Sequence, residues 1–309
     1  MNIANTMWSE KYRPKSIDEF VGNEDLVSKV KHWIDIQDVP NLLLYGPSGT
    51  GKTSIAKIIS AELDADEYYI NASSENGIDV LRDRIQSIVN TTSFSEWKIV
   101  ILDESDGLTL NFQQAMRPVL ENESGKTRFI FTANYQEKII PALHSRLTPF
   151  YVVPPSKTAV CVRAKKILES ESIKYDPKSI VSVVNSYYPD QRKIVNALQK
   201  NSITGELIIS DDLALNADYL EKILAELKGV KDVKSSFQNI RQIIADSKVR
   251  QFDDLFRFLY DSIDDYTPDG KKAMMIYHIA DGQYKAAIVN TDPEIQVAQM
   301  FVNILKELK

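Results

Sequence analysis

Gly46-Pro47-Ser48-Gly49-Thr50-Gly51-Lys52-Thr53 has the spacing G-x-x-x-x-G-K-[ST], which suits a loop that cradles phosphates. Glycines let backbone N–H groups turn inward onto phosphate oxygens. Lys52 would carry positive charge to the β- and γ-phosphates, and Thr53 would offer its hydroxyl to Mg2+. Ser54, directly after the loop, is counted with the nucleotide contacts. A second group of residues, Ile99-Val100-Ile101-Leu102-Asp103-Glu104, is an apolar run that ends in two carboxylates. Asp103 would hold Mg2+ directly or through water. Glu104, just past the run, could polarise water toward the γ-phosphate; a kinase would have no need of that second acid. Phe129-Ile130-Phe131-Thr132-Ala133-Asn134 is a third apolar run with a polar end. Asn134 could bind the γ-phosphate or the attacking water, or it could be a plain loop asparagine. The expected ligands are therefore ATP and Mg2+.

These groups can meet only if strands carry them to one edge of a sheet. Short β-rich runs occur at 41–45, 68–70, 98–102, 128–132 and 150–153, with helical patterns between most of them. That alternation predicts a parallel sheet with helices on both faces. The phosphate loop falls between such a strand and an apolar helix carrying Ile55, Ala56, Ile58 and Ile59, so phosphates would meet a helix N-terminus.

After Pro154-Pro155 the strand signal stops. Val160, Ala164, Ile167 and Leu168 follow helical spacing, as do Ile180, Val183, Val184 and Tyr187 behind Pro177. A polar stretch at 201–212 precedes a helix expected at 216–227, which Gly229 would end. Beyond it, Phe237, Ile240, Ile243 and Ile244 form one stripe, and Phe252, Leu255, Phe256, Leu259 and Ile263 another. A last helix opens at Thr291-Asp292-Pro293 and runs through Ile295, Ala298, Val302 and Leu305. Three domains are expected: 1–153, an α/β nucleotide-binding domain; 154–228, a small helical lid; 229–309, an all-α block.

With 43% apolar and 26% charged residues, the chain can bury ordinary cores. A net charge of −6 rules out coating DNA with the whole surface, so any such contact must be local. No segment reaches the ~20 apolar residues of a membrane span, and the first 14 residues hold no secretory signal. Cys161 is the single cysteine, which suits a reducing compartment; a cytoplasmic location, host cytoplasm for a phage protein, is expected.

Several blocks in order resemble the AAA+ clamp-loader ATPases, specifically replication factor C small subunits and the clamp-loader large subunit of T-even-type phages. Trp8-Ser9-Glu10-Lys11-Tyr12-Arg13-Pro14 with Phe20-Val21-Gly22-Asn23-Glu24 looks like the adenine-pocket segment of that family. The phosphate loop follows, then Asn71-Ala72-Ser73-Ser74, Asp103-Glu104-Ser105-Asp106 and a helix with Gln113, Ala115, Met116 and Arg117. Thr132-Ala133-Asn134-Tyr135 is similar to the sensor-1 segment, and Lys138 to Arg146 to the serine-arginine motif. Pro189-Asp190-Gln191-Arg192-Lys193 is similar to the sensor-2 helix start, with Arg192 as its arginine. Ser105, Pro118 and Leu147 depart from the pattern; Pro118 replaces an arginine of the central helix and could reshape a link between DNA and the ATP site.

The resemblance implies a nucleotide domain, a lid and a collar that makes a ring or spiral from copies of this chain and a second clamp-loader subunit. It implies a sliding clamp and primer-template DNA as partners and no membrane. Tyr12, Arg13, Pro14, Val21 and Gly22 would hold adenine. DNA phosphates would meet helix N-termini near Ile78 and Arg82 and near Thr109, unless Arg82 belongs to a solvated face. The clamp would dock on Ile88, Val89 and Phe94, taken as an exposed apolar cluster, unless these residues pack under the sheet. Arg146, at the domain edge before the fifth strand, would act as a finger on a neighbour's ATP; the alternative is a salt bridge to an acid of its own chain. A helicase loader or branch-migration motor is the nearest competing function, and a small-molecule kinase the more distant one.

Overall fold

The computed structural model describes residues 7–72, 78–93, 95–121, 126–208, 211–247, 249, 252–288 and 292–309. They form two compact units, Met1–Leu207 and Ile208–Lys309. In the first, chain order is α1 (Trp8–Lys11), α2 (Glu24–Asp35), β1 (Leu42–Tyr45), α3 (Lys52–Glu62), β2 (Asp66–Asn71), α4 (Ile78–Asn90) and β3 (Lys98–Asp103). Then come α5 (Leu110–Glu121), β4 (Thr127–Ala133), α6 (Pro141–His144), β5 (Thr148–Tyr151), α7 (Lys157–Ser170), α8 (Pro177–Tyr187) and α9 (Gln191–Asn201).

The five strands are all parallel, in the order β2-β3-β4-β1-β5. β3 is buried along its whole length, as expected of a central strand covered on both faces. Val100 and Leu102 face a core with Ile85 of α4 and Phe112 and Met116 of α5. Ile99 and Ile101 face the other core, with Val30 of α2 and Ile55, Ile58 and Ile59 of α3. The expected α/β sandwich is present. The fifth strand begins at Thr148 rather than at 150, because Pro149 lies within it; β5 pairs only with β1 and is an edge strand, where a missing N–H is tolerated.

α7, α8 and α9 bury the stripe residues Val160, Ala164, Ile167, Leu168, Ile180, Val183 and Val184 together with Ile194 and Leu198. Pro118 does not break α5, which runs through it to Glu121; the proline is exposed. Leu147 is buried in the sheet core, and the buried Ser105 donates its hydroxyl to the Leu102 carbonyl at 2.7 Å. Both departures from the family pattern are thus satisfied locally.

The second unit contains α10 (Asp211–Lys228), α11 (Val233–Ser247), α12 (Asp253–Asp261), α13 (Ile263–Tyr266), α14 (Lys272–Ile288) and α15 (Pro293–Leu308). α10 adds Tyr219, Ile223, Leu224 and Leu227 to the core of this unit, so the helix expected at the end of the second domain packs with the helices that follow it. The break falls in the polar stretch before it and not at Gly229. On α15 the buried face carries Val297, Met300, Phe301, Ile304 and Leu305, while Ile295 is exposed. Of the expected stripe, Leu305 is buried, Ala298 and Val302 are half-buried, and only Ile295 faces outward.

Candidate active site

The phosphate loop joins β1 to α3, whose first residue is Lys52. Gly51 has φ 100°, and a Cβ there would lie 2.7 Å from a ring carbon of Phe20; glycine meets both demands. Lys52 is buried, and its ammonium donates to the Gly46 carbonyl (2.7 Å), the Pro47 carbonyl (2.8 Å) and Asn134 Oδ1 (2.9 Å). Burial pushes its pKa down to about 8, against the opposing pull of Asp103, Asp106 and Asp190. Thr50 donates to the Pro47 carbonyl at 2.9 Å and braces the loop from within.

Strand order brings the other groups to the same edge. β4 lies between β1 and β3, so Asn134 and Asp103 both emerge beside the loop. Asp103 Oδ1 accepts from Thr53 Oγ1 at 2.8 Å and from the Thr132 hydroxyl, and Oδ2 accepts from Tyr69 Oη at 2.6 Å. Glu104 is exposed and left-handed, at φ 56° and ψ 41°. Its N–H donates to Thr132 Oγ1 at 3.2 Å. A non-glycine residue in this region costs on the order of 1–3 kcal/mol, and such strain gathers at functional sites.

The start of α9 lies against the loop. Asp190 caps α9 by accepting from the Lys193 N–H at 3.0 Å, and the Gln191 N–H donates to the Gly49 carbonyl at 3.2 Å. Arg192, Ser48, Gly49, Lys52, Thr53, Ser54, Arg13, Pro14 and Val21 line one cleft of about 220 Å³ with Asp103, Glu104 and Asn134. Of the expected adenine residues, Tyr12 and Gly22 stay out of that lining. The Tyr12 hydroxyl lies 2.6 Å from Ser170 Oγ and donates to Glu171 Oε1 at 2.6 Å, and the backbone of Gly22 packs on Pro155. Arg163 donates to the Tyr12 carbonyl (2.8 Å) and to Gln191 Oε1 (2.5 Å), joining the N-terminal segment to the lid.

Tyr69, Thr132, Arg163 and Gln191 line the cleft without having been singled out as site residues. Tyr69 precedes Asn71 by two along a strand, and Thr132 precedes Asn134 by two, which puts each pair on one face. That spacing could have found them. Nothing in the sequence signals Arg163.

The outer residues fare differently. Ile78 opens α4, and Arg82 is exposed on that helix. Thr109 accepts from the Phe112 N–H through its hydroxyl (3.3 Å) and from the Gln113 N–H through its carbonyl, which makes it the cap of α5. Of the three residues expected to form an exposed patch for the clamp, two are described, and neither is exposed. Ile88 is buried in the sheet core and Val89 is half-buried against it, because the apolar face of α4 is used up by the sheet. Phe94 lies outside the described residues. Arg146 pairs with Glu121 of its own chain and also donates to the Ala142 carbonyl and Ser145 Oγ, while its Nε is buried with no partner.

Residues 42–155 match the family model for the ATPase family associated with various cellular activities (AAA). The small subunit of replication factor C from Sulfurisphaera tokodaii is 30% identical over 96% of this chain and 94% of its own length. The chain belongs to the replication factor C small-subunit family of AAA+ ATPases. Replication factor C small subunit 1 of Pyrobaculum islandicum, 32% identical over 98% of this chain and 95% of the relative, is similar to the same extent. A probable replication factor C subunit 5 of Dictyostelium discoideum is 37% identical over 76% and 72%. The solved structure of the Thermotoga maritima RuvB Holliday junction branch migration motor superposes with TM-score 0.56 over 72% of this chain and 80% of that one. At 16% identity this likeness concerns the fold alone. Nucleotide binding is a property of the family, and the cleft is where this member's motif residues converge.

Proposed function

We propose that the chain is an ATPase subunit of a sliding-clamp loader, in which ATP binding drives clamp opening and DNA-triggered hydrolysis releases the clamp on primer-template DNA. The observation that carries this reading is the meeting of Lys52, Thr53, Asp103, Glu104 and Asn134 in one cleft under Arg192, in a chain similar to replication factor C small subunits over almost its full length.

Lys52 would exchange its carbonyl partners for the β- and γ-phosphates of ATP. Glu104 would accept the proton of the attacking water, and Asn134 would orient that water or the γ-phosphate. Adenine would lie against Arg13, Pro14 and Val21. Thr53 and Asp103 present a hydroxyl and a carboxylate 2.8 Å apart, hard oxygen donors of the kind Mg2+ takes. That ion, when bound, would neutralise charge on the phosphates.

Arg146 would act on ATP held by a neighbouring subunit, leaving Glu121 to do so. The sizes of the two effects support this. A partly exposed ion pair such as Arg146–Glu121 is worth on the order of 1 kcal/mol, a small cost beside the about 10³–10⁵ in rate that arginine fingers supply. The partners would be copies of this chain, a second clamp-loader subunit, the clamp, and DNA phosphates at the N-termini of α4 and α5. Purified chain, second subunit and clamp should co-elute with ATP, and primer-template DNA should raise ATP turnover only in that assembly. Full DNA-stimulated turnover by the chain alone, or no association with a clamp, would sink the proposal.

A further inference from the structure

Asp103 is nearly buried and carries three hydroxyl donors, two of them on Oδ1. The third, Tyr69, donates to Oδ2 at 2.6 Å and is alone there among the described residues. It comes from β2, two residues before the end of that strand, where Asn71 pairs with Asp103 across the ladder. The ring is itself held: Lys57 Nζ sits 5.0 Å from its centroid, a cation–π contact. A carboxylate can only accept, so at this distance the phenol is the donor.

We infer that Tyr69 is a positioning residue for the metal-binding carboxylate, pinning Asp103 Oδ2 so that Oδ1 faces Thr53. The inference rests on the Mg2+-ATP reading above. The torsion that swings an aspartate carboxylate is broad and two-fold, so the side chain alone does not decide which oxygen points where. Packing does not need the hydroxyl either: Tyr69 is 38% exposed on the sheet edge, and phenylalanine would fill the same place. Hydrogen bonds of this kind to a metal-binding carboxylate typically matter about 10–100-fold in metal affinity.

The test is Tyr69→Phe, which removes one oxygen and keeps the ring over Lys57. Binding of a fluorescent ATP analogue is measured in EDTA and across a Mg2+ titration, with no turnover required. Affinity in EDTA should stay within about twofold of wild type, while the Mg2+ concentration at half-effect should rise about tenfold. An unchanged Mg2+ midpoint overturns the inference. So does an equal loss of affinity with and without Mg2+, which would make Tyr69 a general wall of the cleft. Wild-type binding that ignores Mg2+ would instead remove the parent reading, a result told apart because it appears before any substitution.

Discussion

Lys52 is the residue whose protonation the site controls most directly. Its folded pKa is lowered to about 8 by burial, and phosphates arriving beside it would raise that value. Binding therefore takes up a proton once the free lysine has begun to lose it. Nucleotide affinity should be level near pH 7.5 and fall by up to about tenfold per pH unit above 8, in a fluorescence titration up to about pH 9.5. A flat profile over that range would contradict the assignment. Lys52→Ala should abolish binding, whereas Glu104→Gln should bind normally and turn over about 10²–10⁴ times more slowly. Near-normal turnover by Glu104→Gln would take the proton-accepting role away from that residue.

At the scale of elements, the C-terminus of α4 is held by a buried lysine from the neighbouring strand. Lys98 Nζ donates to the carbonyls of Ile88 (2.8 Å), Val89 (3.1 Å) and Thr91, where a helix end gathers partial negative charge. Lys98→Met should cost about 2–4 kcal/mol by leaving those carbonyls without the donor. Urea unfolding of the nucleotide-free chain measures it; a loss under about 0.5 kcal/mol would show that the cap contributes little. This is also where reading the sequence reached its limit. The alternation of strands and the acid at the end of β3 were legible because burial on both faces demands runs such as Ile99 to Leu102. Ile88 was misplaced because an apolar residue near a helix end looks alike whether it faces a sheet or a partner. Tyr12 shows a related limit: a motif names residues in order but not the side on which each ring lies, and here the hydroxyl turns to Ser170 and Glu171. Arg163 was out of reach, since its two partners sit far away in sequence.

At the scale of the whole molecule, the question is whether the site is complete in one chain. Arg146 is engaged by Glu121, away from the cleft lining, so this arginine does not serve the cleft of its own chain. Arg146→Ala subunits should bind ATP normally but hydrolyse slowly after assembly. Mixed with Glu104→Gln subunits, they should recover part of the lost turnover, because some interfaces pair an intact Glu104 with an intact Arg146. No recovery, together with weakened nucleotide binding by Arg146→Ala, would place Arg146 in its own chain's site. α10 carries a further lesson at this scale: a helix was expected at 216–227, but which of two cores it joins depends on residues far along the chain, such as Phe256 and Phe301.

Gly49 occupies one of the wildcard places of the phosphate-loop motif, where any residue satisfies the spacing. In this fold it is not a wildcard. Its φ is 73°, and a Cβ would come within 2.5 Å of Asp190 Cγ and 2.9 Å of its Cα. The nearest atom, Asp190 Oδ1 at 2.1 Å, could rotate away, but the Cα of this residue, which caps the start of α9, could not. Random variation at position 49 under selection for replication should return glycine almost alone, and an alternative should survive only alongside changes that shift the start of α9. Two segments remote in the gene would then be inherited as one unit.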